Sequence, residues 1–244
     1  MVSNFRRNLA ALCCMGALMT SCALSATAQQ IFVTPGGSMS GGLPVSARAT
    51  FNFGAGSLTI LLENLGVDPT SVAQNLSDMD FTVDSSVVGS TVTGSGTART
   101  VAAGGTYVDS GSVAAGWVFD PVPAGSTAHL TVLTGAGHAG PKHTIIGAPN
   151  GSNVYASANG GIAGNGAHNP FLGQSATFVV SNGGFTSSSK VTAMNFSFGT
   201  LPDVTIGGDC THGCGGGGRV PEPGSLALFG GLACSGGLFF RKRR

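Results

Sequence analysis

Short runs in which apolar and polar residues alternate recur along the chain, and a period of two is typical of β-strands with one buried face. The first two runs, residues 47–53 and 58–62, flank Gly54-Ala55-Gly56 and together predict a β-hairpin. Seven further strands are predicted at residues 78–84, 87–93, 97–102, 114–119, 128–133, 176–181 and 191–198.

Some nine short strands with almost no helical period predict an all-β fold, a single β-sandwich or jelly-roll-like domain. Abundant Gly, Ser, Thr and Val, with few Lys and Glu, favour the same class. One short helix is predicted at residues 68–76, where Asp68 would cap it and Pro69 would occupy its first turn. Residues 135–174 are rich in glycine and predict either an extended functional loop or a poorly ordered insertion.

The N-terminal residues have the three parts of a secretory signal peptide. Arg6 and Arg7 are followed by an apolar run at residues 9–24 and by a small-x-small cleavage site, Ala26 and Ala28 before Gln29. Residues 1–28 are therefore predicted to direct export through the Sec translocon and to be removed by signal peptidase. An alternative is lipidation of Cys22, although Met19 is atypical of a lipobox.

The C-terminal residues also form three parts in a fixed order. The first is a short motif made of Val220, Pro221, Glu222 and Pro223, and the second is an apolar run at residues 225–240. Four cations follow, Arg241, Lys242, Arg243 and Arg244. This tail resembles the PEP-CTERM sorting signal of Gram-negative bacteria that make exopolysaccharide. The resemblance implies recognition by exosortase, a membrane transpeptidase that removes the anchor.

The apolar run of this tail is a marginal membrane span. Sixteen helical residues at about 1.5 Å each cover roughly 24 Å, which is less than a hydrocarbon core of about 30 Å. The four cations predict a stop-transfer signal that places the preceding domain outside the inner membrane. The predicted organisation is a signal peptide at 1–28, an ectodomain at 29–206, a tether with a Cys pair at 207–219 and the sorting signal at 220–244, with a single-span transmembrane helix at 225–240.

Charge and cysteine content narrow the possible partners. Between the two processed ends lie five cations and nine carboxylates, so the exported segment is net negative and no nucleic-acid partner is expected. The only cysteines of this segment are Cys210 and Cys214, a possible disulfide in an oxidising compartment. Together with Asp209 and His212 they form an alternative ligand set for zinc or copper.

No pattern nominates an active site. The sequence contains no G-x-S-x-G, P-loop or H-E-x-x-H motif, and its five histidines are too scattered for a recognised metal spacing. Asp78, Asp80 and Asp84 are predicted to form an acidic, solvated strand face, and a surface calcium site is the alternative, although no D-x-D-x-D-G loop is present. We therefore expect no catalytic residues, no metal, no cofactor and no enzymatic activity.

The predicted function is that of an exported, exosortase-processed protein of the cell surface or extracellular matrix, with a structural or adhesive role in exopolysaccharide or biofilm. One alternative is a carbohydrate-binding module for the host exopolysaccharide. Trp117 alternates with Phe119 and is expected in the core rather than in a sugar-binding groove. A secreted hydrolase is the remaining alternative.

Overall fold

The computed structural model describes residues 29–121, 125–133, 138–201 and 205–214, and these are mostly β-structure. One 3₁₀ turn, Val72–Gln74, is the helical element of this part of the chain. The strands are β1 (Gln30–Val33), β2 (Met39–Ser40), β3 (Leu43–Pro44), β4 (Ala47–Gly54), β5 (Ser57–Asn64), β6 (Leu76–Val83), β7 (Thr91–Val101), β8 (Tyr107–Ala114), β9 (Val118–Pro121), β10 (Thr127–Thr131), β11 (Ile145–Ile146), β12 (Phe171–Ser181), β13 (Val191–Phe198), β14 (Thr205–Gly207) and β15 (Asp209–His212).

Hydrogen bonds connect thirteen of these strands into one sheet that folds over on itself. One half, the larger sheet, has the strand order β8-β7-β12-β5-β4-β1-β15. The other half, the smaller sheet, has the order β9-β10-β6-β13-β14, and β11 lies between the halves. The expected all-β class is confirmed, and the two halves pack as the layers of a sandwich.

Aromatic side chains from both sheets meet in the core. The ring centroids of Phe51 on β4 and Phe81 on β6 are 5.5 Å apart, and those of Trp117 and Phe178 are 5.2 Å apart. Because β4 and β6 share no backbone hydrogen bonds, the first contact joins the two layers. Each fully buried ring contributes about 1.5–3 kcal/mol by leaving water. Trp117 lies in this core, as the alternation indicates.

The short strand β11 bridges the sheets at one edge. Ile145 pairs with Leu172 of the larger sheet and with Leu76 of the smaller sheet. The Asn64 side-chain amide lies beneath this junction and donates hydrogen bonds to the carbonyl oxygens of Ile145 and Gln74, at 2.8 and 2.9 Å. A buried amide thus supplies the backbone partners that so short a strand cannot provide.

At the opposite edge, the chain crosses from one sheet to the other between β14 and β15. β14 pairs with β13, and β15 pairs with β1. Gly208 lies at the crossing, where a Cβ atom would come within 3.2 Å of the Phe196 ring and 3.5 Å of the Phe32 Cβ. The sheet therefore continues past the expected ectodomain boundary at residue 206, because residues 209–212 are a strand of the larger sheet.

A buried side chain reinforces this edge. Gln30 of β1 is 2% exposed, and its amide accepts a hydrogen bond from the Val191 backbone N–H at 2.7 Å and donates one to the Val191 carbonyl at 3.1 Å. Val191 begins β13 of the smaller sheet. One glutamine thus takes the place of a pair of ladder hydrogen bonds between the two layers.

Four predicted elements differ from the structure. The helix expected at residues 68–76 is wrong, because Asp68 has a φ of 48° and its backbone N–H donates to the Ala148 carbonyl. The strands expected at 87–93 and 97–102 form the single strand β7, and the strand expected at 114–119 is divided between β8 and β9.

The glycine-rich segment packs on a second, smaller apolar cluster, formed by Val101, Ile146, Tyr155, Ile162 and Phe171. The Asn169 side chain accepts a hydrogen bond from the Val101 N–H and donates to the Val101 and Ile162 carbonyls. Residues 138–170 are thus fixed to the edge of the larger sheet. They form an extended loop, which was one of the two alternatives predicted for this segment.

We expect the Gln30→Ala substitution to destabilise the domain by about 1–3 kcal/mol, because it leaves the buried N–H and carbonyl of Val191 without partners. Chemical denaturation of the purified protein measures this change. Gln29→Ala is the matched control, since Gln29 is exposed. Equal midpoints for the two variants would show that Gln30 does not hold the edge.

Candidate functional site

The outer surface of the larger sheet carries a regular array of hydroxyl groups, which we call the hydroxyl face. Its members alternate with core residues such as Phe178 and Val180, so the strand period directs them outward. They are Thr91, Thr93 and Ser95 on β7, Thr177 and Ser181 on β12, and Ser57 and Thr59 on β5.

Strand register places these hydroxyl groups in rows across three neighbouring strands. Thr91 is opposite Ser181, which is opposite Ser57. Val179 separates Thr93 from Thr59 in the next row. The members on β7 and β12 are exposed and those on β5 are half-buried. The result is an uncharged surface of short side chains that offers donors and acceptors over several rows.

An ion pair lies beside this array on β4 and β5. The Arg48 guanidinium donates two hydrogen bonds to the Glu63 carboxylate, at 2.6 and 2.7 Å. The two residues are direct cross-strand neighbours. Glu63 raises the pKa of Arg48 by hydrogen bonding and by its charge, and the paired charges bound the hydroxyl face on this side.

The outer surface of the smaller sheet has a different chemistry. Asp120 on β9, His129 on β10 and Asp80 on β6 are successive cross-strand neighbours. Asp78, two residues before Asp80, accepts a hydrogen bond from His129 Nε2. The expected solvated acidic face is therefore wrong for Asp78, which is 1% exposed, although Asp84 is exposed.

His129 is held in this cluster as a hydrogen-bond donor. Its hydrogen bond to Asp78 raises its pKa, and the charges of Asp78, Asp80 and Asp120 act in the same direction against the opposing effect of burial. Ligand atoms of Asp78, Asp80 and His129 lie within 4.8 Å of one another. The sequence did not indicate this cluster, because His129 is 51 residues away from Asp78 along the chain.

The two tyrosines of the chain, Tyr107 and Tyr155, have structural partners at the other end of the larger sheet. Arg99 is 5% exposed, forms two hydrogen bonds of 2.7 Å with Asp109 and lies 4.1 Å from the centroid of the Tyr107 ring. Its third hydrogen bond is to the Tyr155 hydroxyl, at 3.0 Å. Burial raises the pKa of Tyr155. These contacts fasten the 138–170 segment to β7 and β8.

The two processed ends approach each other at the β1–β15 edge. Gln29 is exposed, and its carbonyl is so close to Gly213 that a Cβ there would overlap it. Cys210 and Cys214 are joined as a disulfide with their Cα atoms 6.1 Å apart, within the usual range. The remaining predicted processing residues lie outside the described residues: Ala26, Ala28, Val220, Pro221, Glu222, Pro223, Arg241, Lys242, Arg243 and Arg244.

Comparison with known proteins assigns the C-terminal residues. Residues 219–244 match the family model of the PEP-CTERM protein-sorting motif. The chain thus carries a PEP-CTERM sorting motif, which marks an exosortase-targeted, exported protein whose precursor is anchored in the membrane. No curated protein matches the chain. No solved structure matches it either.

Within the described residues, no helix has the length and apolar character needed to cross a membrane. The transmembrane helix predicted at residues 225–240 lies outside them.

Exosortase processing leads to a direct test at the sorting motif. We expect intact-mass spectrometry of the released protein to show loss of the Arg241–Arg244 end in the wild type. We expect the Glu222→Ala variant to remain with the cells and to keep this end, because it lacks the central residue of the motif. Asp209→Ala is the control for loss of an exposed carboxylate. Release of the Glu222→Ala protein without its basic end would contradict this role of the motif.

His143 gives a prediction about pH. Burial lowers its pKa, and the Lys142 charge lowers it further. The unfolded chain, with a histidine pKa of about 6.5, then binds protons more readily than the folded protein does, so this residue reduces stability as the pH falls below about 6.5.

We expect the free energy of unfolding to fall less with decreasing pH in the His143→Asn variant than in the wild type. Chemical denaturation at neutral and mildly acidic pH measures this difference. Asparagine suits the backbone at this position, where φ is 64°. His212→Asn, at an exposed site on β15, is the matched control. A decline in His143→Asn equal to that of the wild type would contradict the assignment.

Proposed function

We propose that the exported domain is a structural or adhesive component of the cell surface or extracellular matrix and contacts the host exopolysaccharide through the hydroxyl face. The observation that carries this proposal is the array of short, uncharged hydroxyl side chains across β7, β12 and β5. Release by exosortase supplies the setting, because it frees the domain on the outer side of the inner membrane.

The chemistry of the array suits a polysaccharide partner. A sugar polymer presents repeated hydroxyl groups, and a sheet presents its outward side chains about 4.8 Å apart across strands and about 6.6–7 Å apart along them. Each hydrogen bond exchanged with water contributes little net free energy. Strong attachment then depends on many such contacts and on several copies of the domain along one polymer.

The same geometry favours distributed adhesion over a dedicated carbohydrate-binding module. Such a module commonly presents an aromatic ring to stack on a sugar. Here Trp117 and Tyr155 are buried, and the Tyr107 ring stacks on Arg99. Because two of these rings are buried and the third is in contact with Arg99, the arrangement supports weak, multivalent contact rather than one tight binding pocket.

We also propose that the domain acts without catalysis. His129 directs its Nε2 atom toward the Asp78 carboxylate, an arrangement that holds a proton between them. A hydrolase of the serine or cysteine type also needs a hydroxyl or thiol nucleophile within hydrogen-bond reach of its histidine, whereas in the described part of the chain the hydrogen bond of His129 is to Asp78.

Lysine substitutions on the hydroxyl face test the proposed adhesion. We expect Thr93→Lys combined with Thr177→Lys to reduce retention on immobilised host exopolysaccharide by about tenfold or more, because the loss at each copy is multiplied in multivalent attachment. Both positions are exposed, so stability should change little. The matched control is Thr192→Lys, at an exposed position on β13 of the smaller sheet.

Affinity electrophoresis in gels containing the polysaccharide gives the measurement. Equal retardation of the double variant and the control would overturn the role of this face. Strong retardation by a single short oligosaccharide in solution would favour the carbohydrate-binding module instead.

A further inference from the structure

The cluster on the outer surface of the smaller sheet contains a buried oxygen that no group in the described part of the chain satisfies. The Asp78 side chain is 2% exposed and its Oδ2 atom accepts from His129, whereas its buried Oδ1 atom has no hydrogen-bond partner among the described residues. Burying a carboxylate oxygen without a partner is costly. Such an atom is available to coordinate a cation, which would supply the missing positive charge.

A second histidine beside the cluster has the same property. The His138 side chain is 3% exposed, and its Nε2 atom lies 3.8 Å from the Asp120 carboxylate. Both of its ring nitrogens are buried, and neither has a hydrogen-bond partner within residues 29–121, 125–133, 138–201 and 205–214. Since Asp120 is the cross-strand neighbour of His129, His138 is positioned at the edge of the same group of ligand atoms.

We propose that Asp78, Asp80 and His129 form a binding site for a divalent first-row transition metal of the Zn²⁺ type, with Asp120 and His138 as flanking ligands. The mixture of imidazole nitrogen and carboxylate oxygen suits Zn²⁺ better than Ca²⁺, which takes six to eight oxygen ligands. This departs from the expectation of no metal, which considered the spacing of the histidines along the chain.

Metal binding would replace the hydrogen bond between His129 Nε2 and Asp78: the imidazole releases its Nε2 proton to solvent, and small side-chain rotations move the two ligand atoms apart around the ion. His129 Nε2 and Asp80 Oδ1 are 4.0 Å apart. Two ligand atoms at about 2.1 Å from a tetrahedral Zn²⁺ are separated by about 3.4 Å. The ligands also differ in exposure, since His129 and Asp80 are 27% and 32% exposed while Asp78 is buried. Asp78 would thus bind the ion on its buried side, and solvent would reach the ion on the side of His129 and Asp80.

Calorimetric titration with Zn²⁺ tests the site, using the full chain purified in detergent and first treated with a chelator. We expect one equivalent to bind with micromolar or tighter affinity. Asp78→Asn and His129→Gln should each weaken binding by about tenfold or more. Asp84→Asn, an exposed aspartate just after β6, is the matched control and should bind as the wild type does. If Asp78→Asn or His129→Gln does not fold, Asp80→Asn replaces it and should weaken Zn²⁺ binding in the same way.

Cobalt substitution separates this site from the Cys210–Cys214 region. We expect the Co²⁺ protein to show the visible bands of nitrogen and oxygen ligands, without thiolate charge transfer, and to lose them in His129→Gln. Thiolate charge transfer in the wild type would place the metal at the cysteines and overturn the proposal. Absence of Zn²⁺ binding by the wild type, or unchanged affinity in both Asp78→Asn and His129→Gln, would overturn it as well.

Discussion

At the edge where β1 meets β13, the buried amide of Gln30 takes both backbone hydrogen bonds of Val191 and thereby connects two sheets that face each other. The crossing at Gly208 and the short strand β11 complete the connection on the two sides. Closure by hydrogen bonds keeps the layers in register, so that Phe51 and Phe81 meet in the core. It also leaves the outer surface of each layer available for other chemistry.

The two outer surfaces differ in chemistry. The larger sheet presents neutral hydroxyl groups in rows, whereas the smaller sheet gathers Asp78, Asp80 and His129 into a compact cluster. Both depend on the same rule, since alternate residues of each strand point away from the core. The sandwich thus combines an extended surface suited to a polymer with a localised one suited to an ion.

Local pattern was sufficient for much of the fold. The hairpin of β4 and β5 and the strand β13 follow from alternation and turn residues alone. The helix expected at residues 68–76 is wrong because tertiary contacts, such as the hydrogen bond from the Asp68 N–H to the Ala148 carbonyl, override local propensity.

The histidine–carboxylate cluster could not be predicted from the sequence pattern, because it depends on the pairing of β6, β10 and β9, which the spacing of residues along one chain does not specify. The hydroxyl face was partly foreseeable, since Thr91 and Thr93 alternate within a predicted strand.

The pairing of β1 with β15 has a consequence for the order of folding during export. Thr211 bonds to the carbonyl of Ile31, a residue 180 positions earlier in the chain. The first strand to emerge from the membrane must therefore wait for nearly the whole ectodomain before its outer partner arrives. That partner ends only a few residues before the sorting motif at 219–244. The sandwich therefore cannot close completely until the residues just before the sorting signal have been made and exported.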